Sequence, residues 1–345
     1  MSVTILVGDV FARLAESPDD HFDCVVTSPP YWGMRDYGVE GQIGLEPSLD
    51  EHLEVMVRVF REVRRVLKPS GTLWLNYGDC YAASPSGRSA EATKAAGGDD
   101  RTFRDKPFST IGGVFKPKDL LMIPNRLAIA LQEDGWWVRS EIIWHKPNPM
   151  PESVKDRPTT SHEKVFLLTK RERYFYNADA IREAESVPDW DNGTRVFGGV
   201  NKAGANLKHG DRTTGRLATR RRGVPPRHEA YASSDQSGID LVGRGTGRNA
   251  RNVWTIATKP FAEAHFATFP PELAERCLQA GCPKGGRVLD PFGGAGTVGL
   301  VGDGLGLDVT LIEINHDYAS LAERRIVSAQ GPMFRAVERN DGVAA

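Results

Sequence analysis

Ser28, Pro29, Pro30 and Tyr31 stand together just after Phe22-Asp-Cys-Val-Val-Thr27, a short apolar run rich in β-branched residues that reads as a buried strand. Neither proline can donate a backbone hydrogen bond, and each fixes φ near about −65°. A stiff loop therefore leaves the strand's carboxyl end carrying a hydroxyl, rigidly aimed carbonyl oxygens and two aromatic rings, Tyr31 and Trp32. Such equipment suits an exocyclic amine on a nucleobase, whose lone pair is delocalised into the ring and so is a poor nucleophile. Acceptors set against the amine hydrogens pull its nitrogen toward tetrahedral geometry and free the lone pair. The Ser28 hydroxyl and the Pro29 carbonyl supply those acceptors, and Tyr31 offers a face for the base. The rival reading is a plain turn with an aromatic plug.

A second stretch lies near the other end of the chain. Gly294-Ala-Gly296-Thr-Val-Gly299 satisfies G-x-G-x-x-G between a strand, Arg287–Asp290, and a helix read over Val298–Leu305. Glu313 ends the next strand, near the distance at which an acid grips ribose hydroxyls. Any adenosine-bearing cofactor lies across such a loop, so a nicotinamide-dependent oxidoreductase satisfies the pattern too. Asp9 closes the first strand, Val3–Val7, where it either caps the helix that follows or accepts from an adenine amino group; the residues alone favour the cap.

Thr27-Ser28-Pro29-Pro30-Tyr31 and its continuation through Trp32-Gly-Met-Arg-Asp-Tyr37-Gly38 resemble the catalytic motif of the amino DNA methyltransferases. These enzymes methylate N4 of cytosine or N6 of adenine using S-adenosylmethionine. Asp290-Pro-Phe292-Gly-Gly294-Ala-Gly296-Thr297 is similar to their cofactor loop, and His265 to Pro270 to the cofactor motif ahead of it. The order of catalytic loop, recognition segment and cofactor loop is that of the β group, a circular permutation of the usual arrangement. The resemblance implies a Rossmann-like α/β fold with a mostly parallel sheet, an antiparallel edge hairpin and an irregular target-recognition segment. It implies catalysis by Ser28, Pro29, Pro30 and Tyr31, and cofactor contacts from Asp9, Phe269, Asp290, Phe292, Gly294, Gly296, Thr297 and Glu313. Ser28, where many adenine enzymes carry Asp or Asn, favours cytosine N4; adenine N6 is the alternative, and a DNA-binding protein without catalysis a more distant one. No Pro-Cys dipeptide occurs, which excludes the C5-cytosine mechanism.

The elements must bring these loops together. Strand and helix patterns alternate over residues 1–77, with an amphipathic helix from Leu49 to Leu67 stopped by Lys68-Pro-Ser-Gly71. Asp119 is placed to cap a helix running to Gln132. The Trp136–Trp144 and Glu163–Thr169 strands are placed to pair antiparallel, and α/β order returns in the last third. A catalytic domain is thus expected over 1–178 and 253–335. Residues 78–117 read as a mobile loop, either closing over DNA or a dispensable insertion, the latter favoured. His162, in a segment that shapes the target-base pocket in the family, reads as structural.

Residues 179–252 are glycine-rich and basic, with Arg216, the run Arg220-Arg221-Arg222, Arg227, Arg244, Arg248 and Arg251 set against few acids. In a chain of net charge −1 that concentration points to phosphate contact. The implied partner is double-stranded DNA; the resemblance also admits a cognate restriction endonuclease and a homodimer. With 40% hydrophobic and 26% charged residues the chain is ordinary for a globular protein. Four cysteines without CxxC spacing indicate neither zinc nor disulfides. Strand-like residues from Val3 leave no room for a signal peptide, and no apolar run is of membrane-spanning length, so a cytoplasmic protein is expected.

Overall fold

The computed structural model describes residues 2–84, 108–183, 247–258, 270–330 and 337–341. Its strands are β1 (Val3–Val7), β2 (Phe22–Thr27), β3 (Leu67–Tyr77), β4 (Trp137–His145), β5 (His162–Thr169), β6 (Val253–Thr255), β7 (Arg287–Asp290), β8 (Asp308–Glu313) and β9 (Val337–Asn340). Its α-helices are α1 (Val10–Ala15), α2 (Leu49–Val66), α3 (Ile123–Glu133), α4 (Pro271–Gly281), α5 (Thr297–Gly304) and α6 (His316–Ala329).

Local chemistry sets most of these bounds. Ser48 caps α2 by accepting from Glu51 N at 3.2 Å, with Asp50 and Glu51 in the first turn and Arg64 and Arg65 in the last, each suited to the helix dipole. Lys68-Pro-Ser-Gly71 does not form a separate turn: α2 passes straight into β3, and the four residues sit in the strand as an irregularity. Phe22 lies opposite Leu67, but Cys24 lies opposite Thr72. Asp119 does not cap α3. It accepts from Lys116 N at 2.8 Å, and α3 starts instead at Ile123, just after Met122 in the left-handed region at φ 58, with Pro124 in its first turn.

The described strands form one sheet in the order β6-β4-β5-β3-β2-β7-β8-β1-β9. From β3 to β9 every neighbouring pair is parallel; β5 runs antiparallel to both β3 and β4, and β6 adds parallel outside β4. Alternate residues of a strand face opposite sides, so each strand feeds two cores. Val25, Leu73 and Leu75 pack under α1, α2 and α3 with Leu14, Phe60 and Leu127. Cys24, Val26 and Trp74 pack under α4, α5 and α6 with Leu278, Val298 and Ile326. This is the doubly covered, mostly parallel sheet of a Rossmann-like fold.

By its contacts the chain divides into residues 1–181 with 249–345, and residues 182–248. In the second unit the described residues are 182, 183, 247 and 248, where Glu183 and Arg248 form an antiparallel bridge. Arg248 Nε also donates to Glu183 Oε2 at 3.1 Å. Arg216, Arg220, Arg221, Arg222, Arg227, Arg244 and Phe269 lie outside the described residues, as does the middle of the 78–117 loop. The flanks of that loop pair Tyr81 with Leu120 and close a tight turn between Gly112 and Phe115. No helix among the described residues is long and apolar enough to cross a membrane.

Candidate functional site

Four neighbouring parallel strands, β2, β7, β8 and β1, end side by side, and their carboxyl ends open into one cavity. β1 delivers Gly8 and Asp9, β2 delivers Ser28 and Pro30, β7 delivers Asp290 to Ala295 and Thr297, and β8 delivers Glu313. The two strands that carry the distant motifs are in contact: Thr27 Oγ1 donates to Asp290 Oδ1 at 2.7 Å across a sequence separation of 263 residues.

Three carboxylates face this space. Asp290 accepts from Thr27 and from Phe292 N at 3.1 Å, and its burial pushes its carboxyl up to about 7. Glu313 holds the glycine-rich turn to the sheet by accepting from Gly294 N at 2.7 Å and Asn315 N at 2.8 Å. Burial raises its carboxyl as well, against the pull of those backbone donors. Asp9 accepts from Phe11 N and Ala12 N, each at 3.0 Å, so it does cap α1 while lining the cavity. The turn itself needs glycine twice. Gly294 and Gly296 have φ of 49° and 74°, and a Cβ on Gly296 would lie 2.7 Å from Ala322 Cβ. Gly296 does not line the cavity but seats the loop on α6. Thr297 lines it, and its hydroxyl accepts from Arg325 Nη1 at 3.0 Å.

Apolar and cationic groups complete the lining. Phe292 contributes its ring, and Tyr37 meets Tyr318 edge-to-face with centroids 6.5 Å apart. Arg35 and Gln42 come from the stretch just after the catalytic motif. Acids for a cationic or polyhydroxyl ligand, a glycine turn for close approach and aromatic rings for a flat heterocycle are together the donor set that S-adenosylmethionine needs.

Pro29 and Tyr31 do not line this cavity. Tyr31 stacks on Tyr77 with centroids 4.7 Å apart, and its hydroxyl enters a polar cluster that the sequence reading missed. Tyr31 Oη donates to Glu163 Oε2 at 2.9 Å, accepts from Asn76 Nδ2 at 2.9 Å and lies 3.2 Å from Ser28 Oγ. Asn76 also reaches Ser28 Oγ and Glu163 Oε2, at 3.2 and 3.0 Å, and Lys146 pairs with the other Glu163 oxygen. His162 is exposed. Successive strand residues face opposite ways, so Glu163, not its neighbour, turns to the Ser28–Tyr31 loop. The available signal was topological: β5 runs antiparallel, so its first residues reach the edge where the parallel strands end. Arg251 is exposed, and its carbonyl accepts from Trp254 Nε1 at 2.8 Å.

Residues 22–324 match the family model described as DNA methylase, that of the N6 and N4 methyltransferases. The chain belongs to this family. It is 41% identical over 332 residues to the Type II methyltransferase M.XycI of Xanthomonas campestris pv. cyanopsidis, covering 96% of this chain and 90% of that one. It is 40% identical to the Type II methyltransferase M.SmaI of Serratia marcescens, covering 94% and 91%. Among solved structures, the cytosine-N4-specific PvuII DNA methyltransferase superposes with TM-score 0.58 at 16% identity, over 94% of this chain and 86% of that chain. The putative DNA modification methylase TTHA0409 of Thermus thermophilus, complexed with S-adenosyl-L-methionine, gives 0.53 at 22% identity over 98% and 99%. At these identities the two structures speak for the fold, the Rossmann-like sheet described above. This DNA methyltransferase thus carries Ser28–Tyr31 ahead of its glycine-rich turn.

Proposed function

We propose that the protein methylates the exocyclic N4 of a cytosine flipped from double-stranded DNA, with S-adenosylmethionine as donor, as the modification half of a restriction–modification pair. The observation that carries this reading is the shared cavity: Ser28 and Pro30 line the same space as Asp290, Phe292, Gly294, Thr297 and Glu313. Asp9, Asp290, Phe292, Gly294, Thr297 and Glu313 would hold the cofactor, with Gly296 shaping their loop and Phe269 a further apolar contact. When bound, the cofactor supplies an electrophilic methyl group on a sulfonium.

The chain's own residues do the rest by positioning and electrostatics. Ser28 Oγ and the Pro29 carbonyl accept the hydrogens of the amine and aim its lone pair into the cavity. Tyr31, its ring backed by Tyr77, stacks on the base. The amine gains a methyl group and loses a proton, and Ser28, Tyr31 and Glu163 form a hydrogen-bonded chain along which that proton reaches a carboxylate. Ser28, neutral and short where many adenine enzymes carry Asp or Asn, favours cytosine. Arg216, Arg220, Arg221, Arg222, Arg227, Arg244, Arg248 and Arg251 supply phosphate and base contacts.

Duplex DNA incubated with methyl-labelled S-adenosylmethionine should acquire label, and Ser28→Ala should lower the rate by about 10²-fold or more while cofactor still binds. A Ser28→Ala enzyme that labels DNA at the wild-type rate would remove the catalytic loop from the reaction. Label bound to protein but absent from DNA would leave only a cofactor-binding protein.

A further inference from the structure

Part of the cofactor cavity is walled by the stretch that follows the catalytic motif, including Arg35, Tyr37, Gln42 and Ile43. Gln42 staples this stretch, accepting from Tyr37 N at 2.7 Å and donating to the Arg35 carbonyl at 3.2 Å. The stretch closes back on the catalytic loop where Gly33 N donates to the Gly44 carbonyl at 2.9 Å. Gly44 N in turn donates to both Glu46 carboxylate oxygens, at 3.1 and 3.0 Å, and the Glu46 carbonyl accepts from Trp32 Nε1 at 2.9 Å.

From Glu46 a polar series runs inward. Glu46 Oε2 lies 2.8 Å from Nδ1 of His52, an α2 residue with no exposed surface. His52 Nε2 lies 2.8 Å from the Tyr77 hydroxyl. That hydroxyl accepts from Trp32 N at 3.1 Å and donates to the Pro30 carbonyl at 3.3 Å. One phenol therefore grips the backbone on both sides of Tyr31, and its ring lies 27° from parallel with the Tyr31 ring.

Carboxylate, imidazole and hydroxyl in series are the parts of a nucleophile-activating triad, but Tyr77 is fully buried and its oxygen is engaged by two backbone groups. It attacks nothing. Filling space does not call for it either, because buried polar groups cost free energy unless every one is partnered, whereas apolar side chains of equal volume would pack without that demand. What this polar set adds over apolar filling is direction.

We propose that Glu46, His52 and Tyr77 form a positioning relay that holds the Ser28–Trp32 loop in register with the wall of the cofactor cavity. The inference rests on Ser28–Tyr31 being the methyl-transfer loop. Tyr77→Phe keeps the ring stack and removes the hydroxyl. It should fold, as judged by circular dichroism and melting, and lose about 10- to 100-fold in kcat with KM for S-adenosylmethionine changed by less than about threefold, the mark of a displaced reacting group. Glu46→Gln, at the wall end, should raise that KM and lower kcat together. Combined with Tyr77→Phe, His52→Gln should add little to the loss, since both cut one series. If His52→Gln does not fold, the Glu46→Gln and Tyr77→Phe pair gives the same cycle.

A folded Tyr77→Phe enzyme turning over within about twofold of wild type, or fully additive losses, would overturn the relay. Wild-type protein that labels no DNA would defeat the proposed function instead. The relay is then read from the Trp32 emission change on adding S-adenosylmethionine, identified by its loss in Trp32→Phe. Loss of that change in Tyr77→Phe supports the relay, and its persistence overturns it.

Discussion

Asp290 makes the pH behaviour of this site predictable from one side chain. Burial lifts its carboxyl to about 7, so below that pH the empty site holds a neutral acid. A cationic ligand prefers the carboxylate, so binding below pH 7 must expel a proton. Affinity for S-adenosylmethionine should therefore rise with pH, by at most about tenfold per unit, and level off above about 7. Asp290→Asn should weaken binding and shrink this dependence; a titration series in which the mutant keeps the wild-type slope would contradict the assignment. Tyr31 gives a second test. Tyr31→Ala should damage turnover far more than cofactor affinity, because the ring stacks on Tyr77 away from the cavity lining; equal losses in both would count against a role toward the base. At this scale the sequence was informative where a residue type had one chemical use. Ser28, Asp290, Phe292, Gly294 and Glu313 do line one cavity. Asn76 and Glu163 were missed because an amide and an acid inside strands carry no local signature; the parallel register of β3 against β2 brings Asn76 to Tyr31, and the antiparallel register of β5 against β3 brings Glu163.

Glycines at element ends decide how closely the layers approach. Gly281 closes α4 against β3, and a Cβ there would lie 2.1 Å from Trp74 Nε1 and 2.5 Å from Thr72 Oγ1. Gly281→Ala should cost roughly 1–3 kcal/mol of stability by overpacking, measured by denaturant unfolding, with the catalytic loop untouched. A neutral effect would mean the α4–β3 approach is looser than described. The long elements were legible because hydrophobic spacing and caps agree, as in α2 with Ser48 ahead of it. Their margins were less so. β9 reads Val337-Glu-Arg-Asn340, too short and polar to declare itself, and exists because β1 offers it a parallel edge. The start of α3 at Ile123 follows from a left-handed residue, Met122, that no composition rule announces.

For the whole molecule the issue is how a chain of net charge −1 holds a polyanion. In the proposed function the basic stretch within 179–252 carries the contact, so DNA affinity should fall steeply with salt. Replacing Arg220, Arg221 and Arg222 together by alanine should flatten the log–log slope by about 2 to 3, at about 0.9 for each phosphate no longer neutralised. An unchanged slope would place the phosphate-binding residues elsewhere. The architecture was legible as a whole because the two motifs and their order allow few sheet arrangements. Residues 179–252 were legible only as charge, since glycine-rich sequence without period specifies no core. In the proposed function two loops far apart in sequence, Ser28–Tyr31 and Asp290–Thr297, together deliver a methyl group to a base amine. The most direct test is to methylate duplex DNA with labelled S-adenosylmethionine, digest it to nucleosides and identify the labelled one. The expected product is N4-methyldeoxycytidine; label in N6-methyldeoxyadenosine would contradict the choice of base, and label in 5-methyldeoxycytidine, or in no nucleoside, would contradict the mechanism itself.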